Sequence, residues 1–338
     1  MRPPTTTAAP KKLSSVPIRD LGLRIDGTPL EGVIHEFLAE LERAGIRRLR
    51  PHFYLSTEWG VPFGTVSIAI PFYLARSELT ALHAERHGHV EGGSRAEILR
   101  YLRHEMGHVV NYAYLLYEQE EWIKLFGSIT QPYEEEYRPE PFSRRFVRHL
   151  PGWYAQKHPD EDWAETFAVW VTPGRDWRSE YADWPEALAK LEYCDRTMKA
   201  LGDRDPPVTA TELDEDVGEL TYSLDHFYGP NTPGRAELPR GLDGALRTIF
   251  EDAGASAAER RPASALIRRL ENDLMDSVYR WTGHFPERTR ALVRFLAERA
   301  DQLQQVYAAD HEASATVGVT TLVTALAVNY VHRGTYLP

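Results

Sequence analysis

The stretch 102–112, which reads LRHEMGHVVNY, constrains the fold more than any other part of this chain, because it holds the pattern H-E-x-x-H inside a predicted helix. Residues four apart lie on one face of an α-helix, so His104 and His108 could bind one metal ion together. Glu105 follows the first histidine and could deprotonate a water molecule at that metal. The bare pattern arises by chance on the order of a few per cent of the time in a chain of this composition. A third ligand from elsewhere is therefore needed to define a site.

The position of the third ligand separates the known classes of such zinc sites. A catalytic zinc usually has three protein ligands and an open fourth position for water. One known arrangement would place Gly at position 111 and His at position 114, and this chain has Asn111 and Tyr114 instead, which excludes it. The other common arrangement takes a glutamate from a separate downstream helix. The third ligand is therefore expected well beyond the first helix.

The best candidate for that helix begins near Pro159, where proline and three acidic residues favour a helix start. Glu161 and Glu165 are four residues apart and share a face. One of them could bind the metal while the other accepts the ring N–H of a ligand histidine. Acidic residues at this spacing usually mark a solvated face. The tryptophans and phenylalanine of this helix predict burial, and buried carboxylates are costly unless they are paired.

Composition narrows the functional classes. The formal net charge is -11, which disfavours a nucleic-acid partner because phosphate binding needs a clustered basic surface. Cys194 is the single cysteine, so we expect no internal disulfide and a reducing, cytoplasmic location. The Pro-, Thr- and Ala-rich segment 1–15 is predicted to be a disordered tail rather than a signal peptide. The apolar stretch 317–331 is interrupted by threonines and an asparagine, and we expect it to be too short and too polar to span a membrane.

The remaining pattern predicts an α+β protein. Short strands are expected at 18–25, 49–56 and 64–74, and Pro71 places the last of these at the edge of a small sheet. Helices are expected at 30–44, 94–120, 159–171 and 185–201, with a polar loop at 83–93 and another over the cleft at 131–141. After a boundary at 229–241 the chain is predicted to be helical, with apolar stripes such as Leu266, Leu270, Leu274, Val278 and Trp281.

Together, the two segments at 102–112 and 153–168 resemble the gluzincin metallopeptidases, in which H-E-x-x-H and a downstream glutamate bind zinc. The closest pattern is that of the "putative zinc-binding metallopeptidase" family, with its segment Y-A-x-x-x-P-x-E-D-x-A-E-T-x-A. The anthrax lethal factor catalytic domain and the Mlc titration factor proteins are similar at a greater distance. The resemblance implies that Glu161 is the third zinc ligand, that Tyr154 is an active-site tyrosine and that Glu165 orients a ligand histidine. From the residues alone, a swap between the two glutamates and a purely structural Tyr154 stay open.

The resemblance covers about residues 64 to 195 and implies a zincin-like catalytic domain at 16–205, followed by a helical region of unknown role at 206–338. It implies zinc-dependent hydrolysis of peptide bonds, with Glu105 as general base and a peptide or protein as substrate. The alternative is a non-catalytic zinc-containing regulatory or binding protein that keeps the gluzincin fold. The unmatched C-terminal region could dock such a protein partner or cover the cleft.

Overall fold

The computed structural model describes residues 13–87, 90–133, 137, 139–140, 143–229, 241–253, 260–284 and 286–336. Over these residues the chain is rich in helix and contains two small sheets, in agreement with the predicted α+β class. Most of the predicted tail and most of the predicted boundary at 229–241 lie outside the described residues. Within the predicted tail, Leu13–Ser15 form a short 3-10 turn.

The first part of the chain packs helices around a two-stranded sheet. Its elements are α1 (Pro29–Arg43), β1 (His52–Ser56), β2 (Ser67–Pro71), α2 (Ser77–His87), α3 (Arg95–Ala113), α4 (Glu120–Phe126), α5 (Pro159–Val171), α6 (Trp177–Glu180), α7 (Pro185–Leu201) and α8 (Leu224–Phe227). Strands β1 and β2 run parallel, and every residue of β2 is buried. One apolar core extends from Ile18 to Tyr228, so the segment 217–228 packs with the first part of the chain. The division predicted at residue 205 stays a prediction.

Local sequence explains where the two central helices begin. Ser94 and Glu97 form a capping box at the start of α3, in which each side chain accepts the other residue's backbone N–H. At α5, Pro159 occupies the first turn, and the ring of His158 accepts the N–H of Asp160. Helix α3 ends at Ala113 rather than near residue 120, because Leu115 adopts a left-handed φ of 51°.

A second apolar core lies in the part of the chain after residue 240, which we call the C-terminal bundle (the described residues of 241–336). It contains α9 (Asp243–Ile249), α10 (Ala263–Arg269), α11 (Glu271–Thr282), α12 (Pro286–Gln302) and α13 (Glu312–Arg333). The short strands β3 (Glu251–Asp252), β4 (Arg260–Pro262) and β5 (Gln305–Ala308) form an antiparallel sheet in the order β3-β5-β4, which the sequence did not predict. The predicted apolar stripe continues to Val278, but Trp281 is 63% exposed and does not belong to the core.

Two predicted segments have a different structure. Residues Ile18–Leu21 form a 3-10 helix instead of a strand, and Gly22 then turns the chain with a φ of 63°. The polar loop expected at 83–93 is helical up to His87, and His83 is half-buried. The ring of His83 stacks on Tyr73 with centroids 3.7 Å apart, and its Nδ1 lies 3.1 Å from the hydroxyl of Tyr228. These ring contacts stabilise the last turn of α2, which the polar sequence of this segment does not predict.

Helix α13 corrects a further expectation. The helical segment Ala309–Arg333 is long and apolar enough to cross a membrane, judged by length and composition only. A mostly buried core helix of a soluble protein passes the same test. Here 28% of the apolar window is buried, and Ala315, Val319, Val323, Leu326 and Ala327 of this helix belong to the core of the C-terminal bundle.

Candidate metal centre

The candidate metal centre lies where α3 and α5 cross at very short distance. Gly107 makes this approach possible, because a Cβ built on it would lie 2.6 Å from the Cα of Ala164. The indole Nε1 of Trp163 also donates a hydrogen bond of 2.7 Å to the carbonyl of Gly107. The helix faces that meet carry the two histidines of α3 and the two glutamates of α5. The contact therefore brings residues 57 positions apart to one point.

Three buried side chains offer their ligand atoms to one position. The Nε2 atom of His104 lies 3.0 Å from Oε2 of Glu161, and the Nε2 atom of His108 lies 3.3 Å from the same oxygen. The two Nε2 atoms are 3.2 Å apart. Zinc bonds of about 2.0–2.1 Å in a tetrahedron place ligand atoms roughly 3.3–3.4 Å apart. The triangle of His104, His108 and Glu161 thus has the size and the donor set of a zinc site.

The electrostatics of this triangle favour a cation. Burial by itself lowers the pKa of both histidines, but hydrogen bonds to Glu161 and Glu165 raise the pKa of His104 to about 9. For His108, the charges of Asp160 and Glu161 outweigh burial and raise the pKa well above its usual value. Burial raises the pKa of Glu161, yet the two histidines hold it well below its usual range. A site that stabilises positive charge so strongly is suited to a divalent metal ion.

Each ligand histidine also meets a carboxylate on its other ring nitrogen. Nδ1 of His104 lies 2.9 Å from Oε1 of Glu165, whose Oε2 accepts the backbone N–H groups of His149 and Leu150. Glu165 therefore stands behind His104, and Glu161 is the glutamate that faces the metal position. Such carboxylates fix the tautomer and the orientation of an imidazole ligand.

Asp160 contacts Nδ1 of His108 as Glu165 contacts Nδ1 of His104, and the sequence did not predict this contact. Its Oδ2 lies 3.0 Å from Nδ1 of His108, an ion-pair contact rather than a well-aligned hydrogen bond. The same carboxylate accepts hydrogen bonds from the amide of Asn111 and the hydroxyl of Tyr112. Asn111 and Tyr112 thus hold the carboxylate that contacts His108. The sequence signal was present, since Asp160 precedes Glu161 and Asn111 follows His108 by three residues.

Two tyrosines lie beside the triangle. The ring of Tyr154 lies 5.5 Å from that of His104, and burial raises the pKa of its hydroxyl well above the usual value, so it stays protonated. Tyr133 was not predicted, and its hydroxyl donates a hydrogen bond of 2.7 Å to Oε1 of Glu161. The hydroxyl groups of the two tyrosines are 3.5 Å apart. Because Tyr133 occupies one oxygen of Glu161, the other oxygen alone faces the two histidines.

Glu105 lines the cavity into which this site opens. It is 5% exposed, and burial raises its pKa against the opposing charges of His104 and His108. The cavity has a volume of about 400 Å³. Its walls come from both parts of the chain, and the C-terminal bundle contributes Tyr279, Gly283, His284, Arg288, Tyr330 and Val331. The bundle therefore forms part of the cavity wall, and its role stays a prediction.

Buried histidines and a glutamate at one point, on crossing helices, define a zinc-binding site of the class with two histidines and a downstream glutamate. Residues 73–174 match the family described as "Putative zinc-binding metallo-peptidase", and the match spans α2 to α5 and every residue of the triangle. The predicted resemblance to this family and the predicted zinc cofactor are thus confirmed. Neither the curated proteins nor the solved structures gave a match to this chain. The more distant likeness to anthrax lethal factor and the Mlc titration factor proteins stays a prediction.

Proposed function

We propose that this protein is a zinc-dependent peptidase with a zincin-like catalytic domain. The observation that carries the proposal is the convergence of His104, His108 and Glu161 at one point. Of the nearby side chains, His104 and Glu105 line a cavity. A purely structural zinc site is usually closed by four protein ligands, whereas a catalytic site leaves one position for water. Three protein ligands together with a buried carboxylate in the cavity support the catalytic assignment.

Zinc, when bound, supplies a water molecule of lowered pKa and polarises the carbonyl of the scissile amide. Glu105 accepts the proton of this water as its oxygen bonds to the carbonyl carbon. The same carboxyl group then delivers the proton to the amide nitrogen, so that the C–N bond breaks and a carboxylate and an amine leave. Burial raises the pKa of Glu105, which favours holding the proton between the two steps.

Tyr154 is assigned to the carbonyl oxygen. Its protonated hydroxyl would donate a hydrogen bond to this oxygen as negative charge develops there. Glu165 and Asp160 keep His104 and His108 oriented, and Tyr133 fixes Glu161 through its second oxygen. We assign no group of the C-terminal bundle to the chemistry.

The test is a digest of a broad peptide library, read by mass spectrometry, with the zinc-loaded protein. We expect cleavage that a chelator abolishes and that added zinc restores. Zinc binding without any cleavage would contradict the proposal and favour a non-catalytic regulatory protein. A cytoplasmic location, the absence of a nucleic-acid partner and a protein partner for the C-terminal bundle stay predictions.

A further inference from the structure

The sheet edge beside the cleft is already occupied. An extended peptide could pair with the edge of β2 only through free backbone groups on that strand. In the structure the N–H of Ala69 in β2 donates a hydrogen bond of 2.8 Å to the carbonyl of Gly60. The neighbouring residues Glu58 and Trp59 line the cavity. The loop that carries them therefore takes the place of an added strand at Ala69.

Trp59 is held firmly in this wall of the cavity. Its ring stacks on Tyr101 with centroids 5.3 Å apart and an interplanar angle of 7°. Its Nε1 donates a hydrogen bond of 3.1 Å to the carbonyl of Glu91. Displacing the loop would break these contacts together with the hydrogen bond between Gly60 and Ala69. The loop is thus a fixed wall of the site.

The C-terminal bundle forms another wall of the cavity, and it contacts the first part of the chain at Gly152 and at the end of α2. Gly283 at the end of α11 approaches Gly152 so closely that a Cβ on Gly283 would lie 3.1 Å from the Cα of Gly152. The guanidinium of Arg290 donates hydrogen bonds to the carbonyls of Ala84 and Glu85 at the end of α2. Gly152 precedes Tyr154 by two residues, so the first contact lies next to the proposed chemistry.

Aromatic and charged side chains of the bundle pack against one another at the cavity. The guanidinium of Arg288 lies 4.7 Å from the ring centroid of Tyr330. The ring of Tyr330 in turn packs against His284 and Tyr336, with centroids 5.4 Å and 4.6 Å apart. A cavity of about 400 Å³ between two such walls lies in the lower half of the range of sites for small ligands.

We propose that the cleft accepts a short peptide or the free end of a longer chain, and not the middle of an extended polypeptide. This proposal rests on the proposed peptidase function and names its substrate class. A long chain that crosses the metal site needs room on both sides of the scissile bond and an edge to pair with. The wall at Trp59 removes the edge, and the wall at Tyr330 limits the room. A short peptide is held by side chains alone and fits between them.

The direct test is a nested series of peptides that share the residues around one scissile bond and extend from about four to about twenty residues at both ends. We expect kcat/KM to fall by about tenfold or more once the chain extends on both sides beyond the cavity. Titration calorimetry with the zinc-loaded Glu105→Gln protein should give the same order of affinities without turnover. A kcat/KM that is constant or rises with length overturns the proposal and leaves the peptidase function standing. Failure to cleave any peptide overturns both.

A substitution in the bundle wall tests whether this wall causes the expected preference for short peptides. Tyr330→Ala should weaken binding of the shortest peptides by about tenfold and reduce the disadvantage of the longest. The matched control is Val317→Ala on the same helix α13, where the side chain is 65% exposed and away from the cavity lining. An unchanged ratio between short and long peptides in a folded Tyr330→Ala protein overturns the assignment of the wall. If that variant does not fold, the length series of the parent protein still decides.

Discussion

Replacing Gly107 by alanine tests whether the close packing of α3 on α5 builds the metal site. The added Cβ would lie 2.6 Å from Cα of Ala164 and 3.0 Å from its carbonyl oxygen, both of which are backbone atoms. A carbon–carbon contact needs about 3.5–4.0 Å, so α5 must move by roughly 1 Å. Glu161 lies one helical turn before Ala164 and moves with it. Its Oε2 would then stand about 4 Å from the two histidine nitrogens, too far for a common zinc ion with bonds of about 2.0–2.1 Å.

We expect the affinity for zinc to fall roughly 100-fold or more in Gly107→Ala. Removing a side chain that only orients a metal ligand lowers metal affinity by up to about 100-fold, and displacing the ligand itself should lower it at least as much. The free energy of unfolding of the metal-free protein should fall by about 1–2 kcal/mol. The overpacking between the two helices destabilises the fold by more than the higher helix propensity of alanine stabilises it. Chelator competition and urea unfolding measure the two effects. The control is Gly32→Ala in α1, where nothing lies within 4 Å of the new Cβ. That change should leave zinc affinity unchanged and add about 0.5–1 kcal/mol. If Gly107→Ala binds zinc as tightly as the parent, the packing argument is refuted.

Three further changes probe separate parts of the structure. Tyr133→Phe removes the hydrogen bond to Glu161 and should lower the affinity for zinc by about tenfold, measured by chelator competition, with the free energy of unfolding unchanged. A zinc affinity equal to that of the parent would contradict a positioning role for Tyr133. Lys190→Met leaves the buried Asp162 without its cation, and we expect the free energy of unfolding in urea to fall by about 3–5 kcal/mol. A second change, Asp162→Asn, should recover part of this loss. A loss under about 1 kcal/mol would contradict a buried ion pair. Burial lowers the pKa of His284 to about 3, below its unfolded value near 6.5, so its neutral form stabilises the bundle above pH 6.5 and this stability is lost as the pH falls. Between pH 6 and 4 the parent should lose up to about 1.4 kcal/mol per pH unit more than His284→Asn, and equal slopes would contradict this.

The ligand triangle could be predicted from sequence because helix geometry is local. Residues four apart share a face, so His104 and His108 form a pair before any tertiary contact is known. The start of α5 was equally readable from Pro159 and the acidic residues after it. The assignment of Glu161 rather than Glu165 came from the resemblance, and the structure places the two carboxylates on different nitrogens of His104.

The missed residues depend on contacts that no local pattern encodes. Asp160 was read as an acidic residue that favours a helix start, and its contact with His108 depends on how α5 crosses α3. Tyr133 lies in a segment without periodicity, so nothing in the sequence relates its hydroxyl to Glu161. The strands of the C-terminal bundle are two to four residues long, too short for an alternating pattern to be recognised.

The role of the C-terminal bundle was open for a similar reason. Its apolar stripes predict a core, but they do not reveal which polar face meets another part of the chain. The contact between Gly152 and Gly283 joins residues 131 positions apart and is visible only once both parts are folded. The walls of the cleft are therefore a property of tertiary structure, whereas the ligands within it are largely a property of two helices.

Glu105 gives the most direct test of the central claim, that this site hydrolyses peptide bonds with a carboxylate as general base. The measurement is the zinc content per chain and the rate of peptide cleavage, both taken on one preparation of Glu105→Gln and compared with the parent. The amide keeps the size of the side chain but cannot accept a proton from water. We predict one zinc per chain in both proteins and a loss of cleavage by at least about 100-fold in the variant. Cleavage by zinc-loaded Glu105→Gln at the parental rate would contradict the account.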